Sequence, residues 1–429
     1  MKIKTRELEY DKVLSLDPYV HQRPKKQSVL FRKLIQVLSV WDLWRVHFKY
    51  EKIGMEKLGK NEPCLILMNH SSFIDLKIVA SLFADRPYQI VCTLDGLIGK
   101  KWLMRNLGCI PTKKFITDTA LVKDMVYSVK HLKSSIVMYP EASYSFDGTA
   151  TPLPESLGKC LKILGVPVVM VRTYGAFHRD PLYNGLRLRK TNVSAEVKYL
   201  LSLEDIKNKK PQELNEILAE EFSFDHFQWQ KEQKVRINER FRAEGLNRVL
   251  YKCPSCLSEG NLEGHGTHLV CKDCGKVYEL TEYGEMRAVE GKTEISHIPD
   301  WYQWERECVR EELVNGTYRL DVPVDIYMMV NTKCIYKVGN GNLLHTREGF
   351  HLTGCEGKLD YRQAPSASYS LYSDFFWYEI GDVICIGNSD AQYYCFPKTK
   401  GDIVAKTRLA AEELYKLTKN ERKRKDAVG

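Results

Sequence analysis

Residues 65–75 read Leu-Ile-Leu-Met-Asn-His-Ser-Ser-Phe-Ile-Asp. The four apolar residues at the start of this stretch predict a buried strand, and the apolar spacing after its polar centre predicts a helix. His70 then lies on the turn between the two elements. Residues five apart on a continuous helix point about 140° away from each other, so His70 and Asp75 can meet only if Asp75 lies in the first helical turn.

This histidine and aspartate have the chemistry of a general base and of the carboxylate that orients it. A neutral imidazole accepts a hydroxyl proton near pH 7, while a fixed carboxylate holds the tautomer and stabilises the imidazolium that forms. A second interpretation stays open, because Ser72 and Asp75 also form the Ser-x-x-Asp pattern of a capping box at a helix start. Spacing alone favours the cap.

Apolar strand-length runs alternate with helical segments between residues 60 and 200, which predicts an α/β layer structure. The predicted strands are Leu65 to Met68, Tyr88 to Cys92, Ile136 to Tyr139, Val166 to Arg172 and Val193 to Leu200.

The stretch Asn69 to Asp75 resembles the Asn-His-x-Ser-x-x-Asp block of the glycerolipid acyltransferase family, which includes the 1-acylglycerol-3-phosphate acyltransferases. The resemblance covers about residues 30–200. It implies that His70 is the general base of acyl transfer and that Asp75 orients it.

Two lysines occupy the second block of this family, within the stretch Leu107 to Phe115. Family members carry an arginine here that contacts the phosphate of the acceptor, and Lys114 stands at its position beside Lys113. The resemblance implies a phosphate contact, although lysine lacks the bidentate fork of arginine. The alternative is a solvated loop.

Residues 140–145 read Pro-Glu-Ala-Ser-Tyr-Ser and resemble the third block of the family, which is Pro-Glu-Gly-Thr-Arg-Ser. The resemblance implies that Glu141, Ser143 and Tyr144 bind substrate. Tyr144 replaces the family arginine, and Ala142 replaces the glycine. For Glu141 the alternative is an ordinary surface ion pair. A fourth block, an apolar strand with a central proline, resembles residues 165–170.

Length and composition limit the number of domains, the class of partner and the cellular compartment. A chain of 429 residues predicts two or three domains. Its 64 Lys and Arg against 55 Asp and Glu favour anionic partners, either lipid headgroups or nucleic acid. No signal peptide is visible, so the 13 cysteines indicate reduced thiols and metal ligands in the cytosol.

The N-terminal segment has two parts. Residues 1–27 are polar and are expected to be loosely ordered. Residues 28–50 predict an amphipathic helix with Trp41 and Trp44 at helical spacing, which carries too many charges to span a bilayer. It either lies in a membrane interface, with its basic residues toward phosphate, or packs on the domain that follows.

Two Cys-x2-Cys pairs give the most specific pattern in the chain. Cys253, Cys256, Cys271 and Cys274 supply four thiolates at the spacing of a zinc ribbon. Four protein ligands close the coordination shell, so the expected zinc is structural. No catalytic cofactor is expected.

Period-two runs separated by glycine-rich turns begin near Asp321 and predict about seven antiparallel strands. A single helix follows, with an apolar stripe from Ile403 to Leu417. This order of elements resembles the pleckstrin-homology superfold, without any sequence motif behind it.

The expected fold is an α/β acyltransferase domain with a mixed sheet flanked by helices, then a small zinc ribbon, then a β-rich domain with one C-terminal helix. The expected boundaries are 1–55 for the arm and membrane-associating helix, 56–248 for the acyltransferase domain, 249–285 for the ribbon and 318–418 for the pleckstrin-homology-like domain.

The expected function is transfer of a fatty acyl group from acyl-CoA or acyl-carrier protein to the hydroxyl of a lysophospholipid or glycerolipid-like acceptor. The expected location is cytoplasmic and peripheral, on the anionic inner face of the cell membrane. Two alternatives are a catalytically inactive lipid-binding scaffold and a nucleic-acid binding zinc-ribbon protein. Nucleic acid is not expected as a partner, since the ribbon lacks a dense Lys/Arg face with interleaved aromatic residues.

Overall fold

The computed structural model describes residues 2–116, 118–399 and 401–428. These residues form a seven-stranded mixed sheet, a four-stranded sheet and an eight-stranded sheet. Helices flank the mixed sheet, and one long helix follows the eight-stranded sheet. The predicted mixed sheet with helices and the predicted β-rich C-terminal region are therefore confirmed.

The elements up to residue 232 follow one another in this order: β1 (Thr5–Glu7), α1 (Tyr10–Leu14), α2 (Val29–Arg45), β2 (Lys49–Ile53), β3 (Leu65–Met68), α3 (Asp75–Leu82), β4 (Tyr88–Thr93), α4 (Lys101–Asn106), β5 (Cys109–Thr112), α5 (Thr119–Lys130), β6 (Ser135–Met138), α6 (Leu157–Leu164), β7 (Val168–Tyr174), α7 (Ala176–Arg179), β8 (Ser194–Leu201), α8 (Leu203–Asn208), α9 (Pro211–Phe222) and α10 (His226–Glu232). The mixed sheet has the order β2-β8-β7-β3-β6-β4-β5. Its β7–β8 pair is antiparallel and its other pairs are parallel.

Strand β3 lies in the middle of this sheet, between β6 and β7, and all four of its residues are buried. Because side chains alternate across a strand, Ile66 and Met68 pack into one apolar cluster with α3, and Leu65 and Leu67 pack into another with α5, α6 and α9. A strand covered on both faces reads as a continuous apolar run, which is why the sequence identified it.

The N-terminal residues are more ordered than their composition suggests. Strand β1 pairs in parallel with residues 335–337 of the C-terminal sheet, and α1 buries Tyr10 and Val13. The expectation of a loosely ordered arm is therefore wrong for these two elements. Sequence reasoning missed β1 because its three residues are all exposed and leave no apolar pattern.

Helix α2 begins as predicted but ends at Arg45, and the chain then forms β2 at the edge of the mixed sheet. Only Ser39 and Leu43 of the helix are buried, on the side that packs against α3. Most of its large apolar side chains face outward, and Trp41 and Trp44 are each 64% exposed. The helix thus packs on the domain through a narrow stripe and leaves a wide apolar surface uncovered.

The elements after residue 250 are β9 (Leu262–His265), β10 (His268–Cys271), β11 (Val277–Leu280), β12 (Met286–Ala288), α11 (Ile298–Asn315), β13 (Leu320–Met329), β14 (Ile335–Thr346), β15 (Gly349–Gly354), β16 (Leu359–Gln363), β17 (Tyr372–Trp377), β18 (Gly381–Gly387), β19 (Gln392–Pro397) and α12 (Val404–Val428). Strands β9 to β12 form an antiparallel sheet next to the cysteines. Strands β13 to β19 have the order β16-β15-β14-β13-β19-β18-β17.

One hydrophobic cluster joins the four-stranded and eight-stranded sheets to loops and short helices of the first region. It contains Phe146 and Tyr183 from the first region, Tyr278 from the small sheet, Trp301 from α11 and Ile326 from the C-terminal sheet. The chain therefore packs as a single body in which the β-rich region lies directly on the region of the mixed sheet. Among the described residues, no helix is both long enough and apolar enough to span a bilayer.

Helix α11, which sequence reasoning did not assign, is expected to be important for stability. Trp301 is fully buried there, stacks edge-on with Tyr278 at 5.1 Å, and donates its indole N–H to the carbonyl of Lys252 at 2.9 Å. Trp301→Ala should lower the free energy of unfolding by about 3–5 kcal/mol in urea denaturation. The matched control is Trp102→Ala, since Trp102 is largely exposed and its loss should change stability by less than about 0.5 kcal/mol. Equal stability losses in the two variants would contradict this role.

Candidate active site

The candidate site lies at one edge of the mixed sheet, where three neighbouring parallel strands end. His70 follows β3, Glu141 follows β6, and Asp180 follows β7 and the short helix α7. The carboxyl ends of parallel strands meet at the same edge, where open α/β sheets place their ligand sites. Asn69 ties two of these ends together, because its side-chain oxygen accepts from the backbone N–H of Thr173 in β7 at 2.9 Å.

His70 and Asp75 lie together as the turn geometry requires. The imidazole Nδ1 is 3.0 Å from the Oδ2 atom of Asp75, which begins α3. The carboxylate is 1% exposed and the imidazole 20% exposed. The same Oδ2 accepts the backbone N–H groups of Ser71 and Ser72 at 3.1 and 3.2 Å. One carboxylate therefore holds the turn before α3 and contacts the imidazole. No side-chain hydrogen bond caps α3, whose N-cap is Ile74, so the capping-box interpretation is wrong and the orienting interpretation is favoured.

Asp180 is a member of the site that sequence reasoning missed. Its Oδ1 accepts a short hydrogen bond from the hydroxyl of Ser72, and its Oδ2 pairs with Arg179 at 2.9 Å. Burial raises the pKa of Asp180 to about 6, although Arg179 and Ser72 partly offset the shift. No local pattern could reveal this contact, because 108 residues separate Asp180 from Ser72.

Glu141 holds the histidine turn through the backbone. Its Oε2 accepts the N–H of His70 at 2.9 Å, and its Oε1 accepts the N–H of Thr151 at 2.9 Å. Burial raises the pKa of Glu141 to about 7, and these N–H groups and Arg408 partly offset the shift. Both oxygens are thus used by the protein's own loops. Glu141 therefore positions the histidine turn, and its expected contact with substrate stays a prediction.

The rest of the third block surrounds the imidazole. The ring of Tyr144 stacks on His70 with centroids 4.0 Å apart, and Tyr139 lies 4.4 Å away. The backbone N–H of Ser145 donates to the carbonyl of His70 at 3.3 Å. Ala142 stands where the family motif has glycine and adopts a left-handed φ of 56°. For a residue with a Cβ this conformation costs about 1–2 kcal/mol.

Ser143 is buried and contacts the C-terminal helix. Its hydroxyl accepts a hydrogen bond of 2.9 Å from Arg408, a residue of helix α12. The third block is therefore joined to the C-terminal helix, a contact across 265 residues that the sequence does not reveal.

The two lysines of the second block both contact the β-rich region. Lys113 donates a short hydrogen bond to the carbonyl of Ser389, and the ammonium of Lys114 lies 4.1 Å from the ring centroid of Tyr372. Burial lowers the pKa of Lys114, and nearby Asp374 partly offsets this shift. Lys113 and Lys114 thus contact a second region of the chain, so the alternative of a fully solvated loop is wrong.

A large crevice in the described part of the chain is separate from the histidine. It has a volume of about 1260 Å³ and lies between residues 146–157, α9, α11 and α12. His70 does not line it. Charged side chains of both signs line it, so the crevice is a charged junction between regions. Reactive chemistry is better assigned to the imidazole and carboxylate at the sheet edge.

The four predicted cysteines converge on one point. The sulfur atoms of Cys253, Cys256, Cys271 and Cys274 all lie within 4.8 Å of one another, so they could hold a metal ion. Backbone N–H groups of Ser258 and Lys276 point at two of these sulfurs, as expected in knuckle turns. Four clustered sulfur donors suit a soft divalent ion.

Comparison with known proteins assigns the first region. Residues 49–173 match the Acyltransferase family model. The chain is 26% identical over 150 residues to the chloroplastic 1-acyl-sn-glycerol-3-phosphate acyltransferase BAT2 of Brassica napus, a match that covers 33% of this chain and 41% of that protein. The chain thus spans about two fifths of this relative.

A solved structure is similar over part of the chain. The 1-acyl-sn-glycerophosphate acyltransferase PlsC of Thermotoga maritima is 18% identical, with a TM-score of 0.35, and the match covers 44% of this chain and 78% of that one. The family match and the match to the Brassica protein confirm the predicted resemblance of the part of the chain that carries His70 and Asp75 to the glycerolipid acyltransferase family.

Proposed function

We propose that this protein is an O-acyltransferase that moves a fatty acyl group from an acyl thioester, acyl-CoA or acyl-carrier protein, to the hydroxyl of a lysophospholipid or related glycerolipid. The observation that carries the proposal is the 3.0 Å contact between the imidazole of His70 and the buried carboxylate of Asp75. The Brassica relative is named as an enzyme of this kind, which supports a lysophospholipid acceptor.

The proposed mechanism begins with His70 as general base. A carboxylate can only accept hydrogen bonds, so Nδ1 carries the proton toward Asp75 and Nε2 is free to accept. Nε2 takes the proton of the acceptor hydroxyl while the hydroxyl oxygen attacks the thioester carbonyl carbon. The C–S bond then breaks, and the leaving thiolate takes the proton back from Nε2. The products are an ester and a free thiol, without any catalytic cofactor.

Two tyrosines support the cationic state of the base. Imidazolium is attracted to an aromatic face within about 6 Å, and the ring centroids of Tyr139 and Tyr144 lie 4.4 and 4.0 Å from that of His70. An arginine at position 144 would instead repel the imidazolium. Tyr144 thus favours proton transfer at this site, while it removes a cation that could receive a phosphate.

For the acceptor we propose Lys114 as the phosphate contact, with Lys113 beside it. Asp374 interacts electrostatically with both Lys114 and Tyr144, which supports a role for this lysine at the site. The nearby carboxylate of Asp374 partly cancels the positive charge. We therefore infer a weaker preference for phosphate-bearing acceptors than an arginine in the second block would give.

Replacing the base tests the mechanism directly. His70→Ala should lower kcat/KM by about 10²- to 10⁴-fold in an assay of coenzyme A release from acyl-CoA with a lysophosphatidate acceptor. Asp75→Asn should cause a comparable loss, because the amide no longer fixes the Nδ1–H tautomer.

The control separates catalysis from helix capping. Asp205 forms a capping box with Ser202 at the start of α8, away from the histidine. Asp205→Asn should cost about 1 kcal/mol of stability and leave kcat/KM unchanged. Wild-type turnover by His70→Ala would refute the mechanism.

At the cysteine cluster we propose a structural zinc ion held by Cys253, Cys256, Cys271 and Cys274. Four thiolates leave no open position, so the metal would stabilise the fold of residues 249–285 and take no part in acyl transfer. The packing of this small sheet against Trp301 and the rest of the shared cluster supports a structural role.

Metal analysis tests this assignment. Protein purified without chelator should contain one zinc per chain by elemental analysis, and Cys256→Ser should lose it. Cys308→Ser is the matched control, because Cys308 lies on α11 outside the cluster. Chelation should raise the protease sensitivity of residues 249–285. Protein free of any metal, or metal loss in Cys308→Ser, would exclude the assignment.

For location we propose peripheral binding through α2 to an anionic membrane, the cytoplasmic inner face of the cell membrane. Trp41 and Trp44 stack on each other at 5.3 Å while remaining exposed, and the exposed Trp102 of α4 extends the surface through an edge contact with Phe31. An uncovered aromatic and aliphatic surface flanked by basic residues is typical of interfacial helices.

Vesicle binding tests the role of this surface. Trp41→Ala combined with Trp44→Ala should weaken binding to phosphatidylserine-containing vesicles at least about tenfold, since each buried side chain contributes about 1.5–3 kcal/mol. Binding should also weaken as salt rises, because headgroup attraction is screened. Leu257→Ala is the control, since Leu257 is similarly exposed but lies in the cysteine region. Unchanged sedimentation of the double variant with vesicles would disprove the proposal.

A further inference from the structure

A guanidinium reaches the third block from the other end of the chain. Tyr144 stands where the family motif carries arginine, yet Arg408 of α12 contacts the same loop. Its Nη2 donates to the hydroxyl of Ser143 at 2.9 Å, and its Nη1 donates to the carbonyl of Tyr144 at 3.5 Å.

The guanidinium is fixed in place from several sides. The side chain of Arg408 is 3% exposed, and its Nε donates to Glu412 one turn further along α12 at 3.3 Å. The guanidinium carbon lies 4.4 Å from the ring centroid of Phe146. Glu412 is held in turn by Arg306 at 2.8 Å and by the hydroxyl of Ser370 at 2.6 Å. A buried, charge-balanced guanidinium of this kind holds its partners rigidly.

We propose that Arg408 is a positioning residue for acyl transfer, which holds Ser143 and Tyr144 so that the Tyr144 ring stays against His70. The β-rich region then completes the active site of the first region through α12. This inference rests on the proposed function, because it assigns a role in the same reaction. Arg408 acts through the loop and does not contact the imidazole.

A single arginine at position 144 would both anchor the loop and face the imidazole. In this structure two residues share these roles, Arg408 as the anchor and Tyr144 as the residue that faces the imidazole. The loop keeps a cationic anchor, but the anchor is balanced by Glu412 and bonded to the backbone of residue 144. The position that faces the imidazole is occupied by a neutral phenol, 4.0 Å from it. A cation there would oppose formation of imidazolium. Arg408 thus gives the loop its rigidity without charge repulsion at the base.

Arg408 also influences Glu141, the carboxyl that accepts the N–H of His70. The pKa of Glu141 is about 7 because of burial, and it is lowered by the N–H groups of Thr151 and His70 and by Arg408, and raised by Asp75. Removing the guanidinium raises this pKa further. The carboxylate form that holds both N–H groups then persists only at higher pH, so a pH profile can detect the change.

The test compares Arg408→Gln and Arg408→Lys with wild type in the full chain. Arg408→Gln should lower kcat/KM for coenzyme A release about 10- to 100-fold, as expected for misplacement of a catalytic group. The acidic limb of its pH profile should move to higher pH. Arg408→Lys should retain more activity, since a lysine keeps the charge. Millimolar guanidinium should restore activity to Arg408→Ala.

Lys416→Gln is the matched control. Lys416 lies on the same helix, two turns further along, and pairs only with Glu413 among the described residues. This variant should keep the wild-type rate and the wild-type pH profile.

A second readout is independent of turnover. Diethyl pyrocarbonate modifies unprotonated imidazole, and mass spectrometry gives the rate at His70. Release of Tyr144 in Arg408→Gln should raise this rate severalfold, and guanidinium should reduce the rate in Arg408→Ala.

The outcomes separate this inference from the proposed function. Wild-type rates of turnover and of His70 modification in Arg408→Gln would overturn the positioning role. The positioning role would also be overturned if the loss of activity followed the loss of thermal stability alone, with no shift in the acidic limb of the pH profile and no rescue by guanidinium. A wild-type chain without acyl transfer would overturn the proposed function, and the modification rates would still decide whether Arg408 holds Tyr144 against His70.

Discussion

The carboxylate of Asp75 is the contact on which the candidate site depends. One of its oxygens accepts from two consecutive backbone N–H groups and from an imidazole, in a place almost without solvent. Leaving a buried carboxylate without its hydrogen-bond donors costs free energy, so the turn, the helix start and the imidazole are fixed together. The ends of β6 and β7 then supply Glu141 and Asp180, which hold the same turn from two other directions.

The C-terminal sheet is more than an appended module. It shares one hydrophobic cluster with the region of the mixed sheet, contacts both lysines of the second block, and reaches the third block through α12. Residues that the sequence predicts to bind substrate therefore contact a region outside the family match. This provides a physical reason for the departures at Lys114 and Tyr144, since each of these residues contacts the added region.

Sequence reasoning could predict the elements whose neighbours are local. The apolar run of β3 and the five-residue spacing of His70 and Asp75 determine a strand, a turn and a carboxylate within reach of the imidazole, and the paired cysteines determine their own cluster. It could not predict contacts that depend on packing across the chain. The contacts of Asp180 and Arg408 belong to this class. So does the use of both carboxylate oxygens of Glu141 by backbone N–H groups. Helix α11 was also missed, although its buried residues follow helical spacing, because the buried Glu305 interrupts the apolar stripe that contains Trp301.

The pairing of β1 with β14 has a consequence for synthesis of the chain. Thr5 pairs with Ile335, so the two partners are 330 positions apart in the chain. At a translation rate of about 5–20 residues per second, the N-terminal strand waits roughly 15 to 65 seconds before its partner leaves the ribosome. During that time its backbone donors and acceptors face water. Residues 2–7 read Lys-Ile-Lys-Thr-Arg-Glu, with basic residues at every second position. These charges keep the strand soluble while it is unpaired and discourage its pairing with a neighbouring nascent chain.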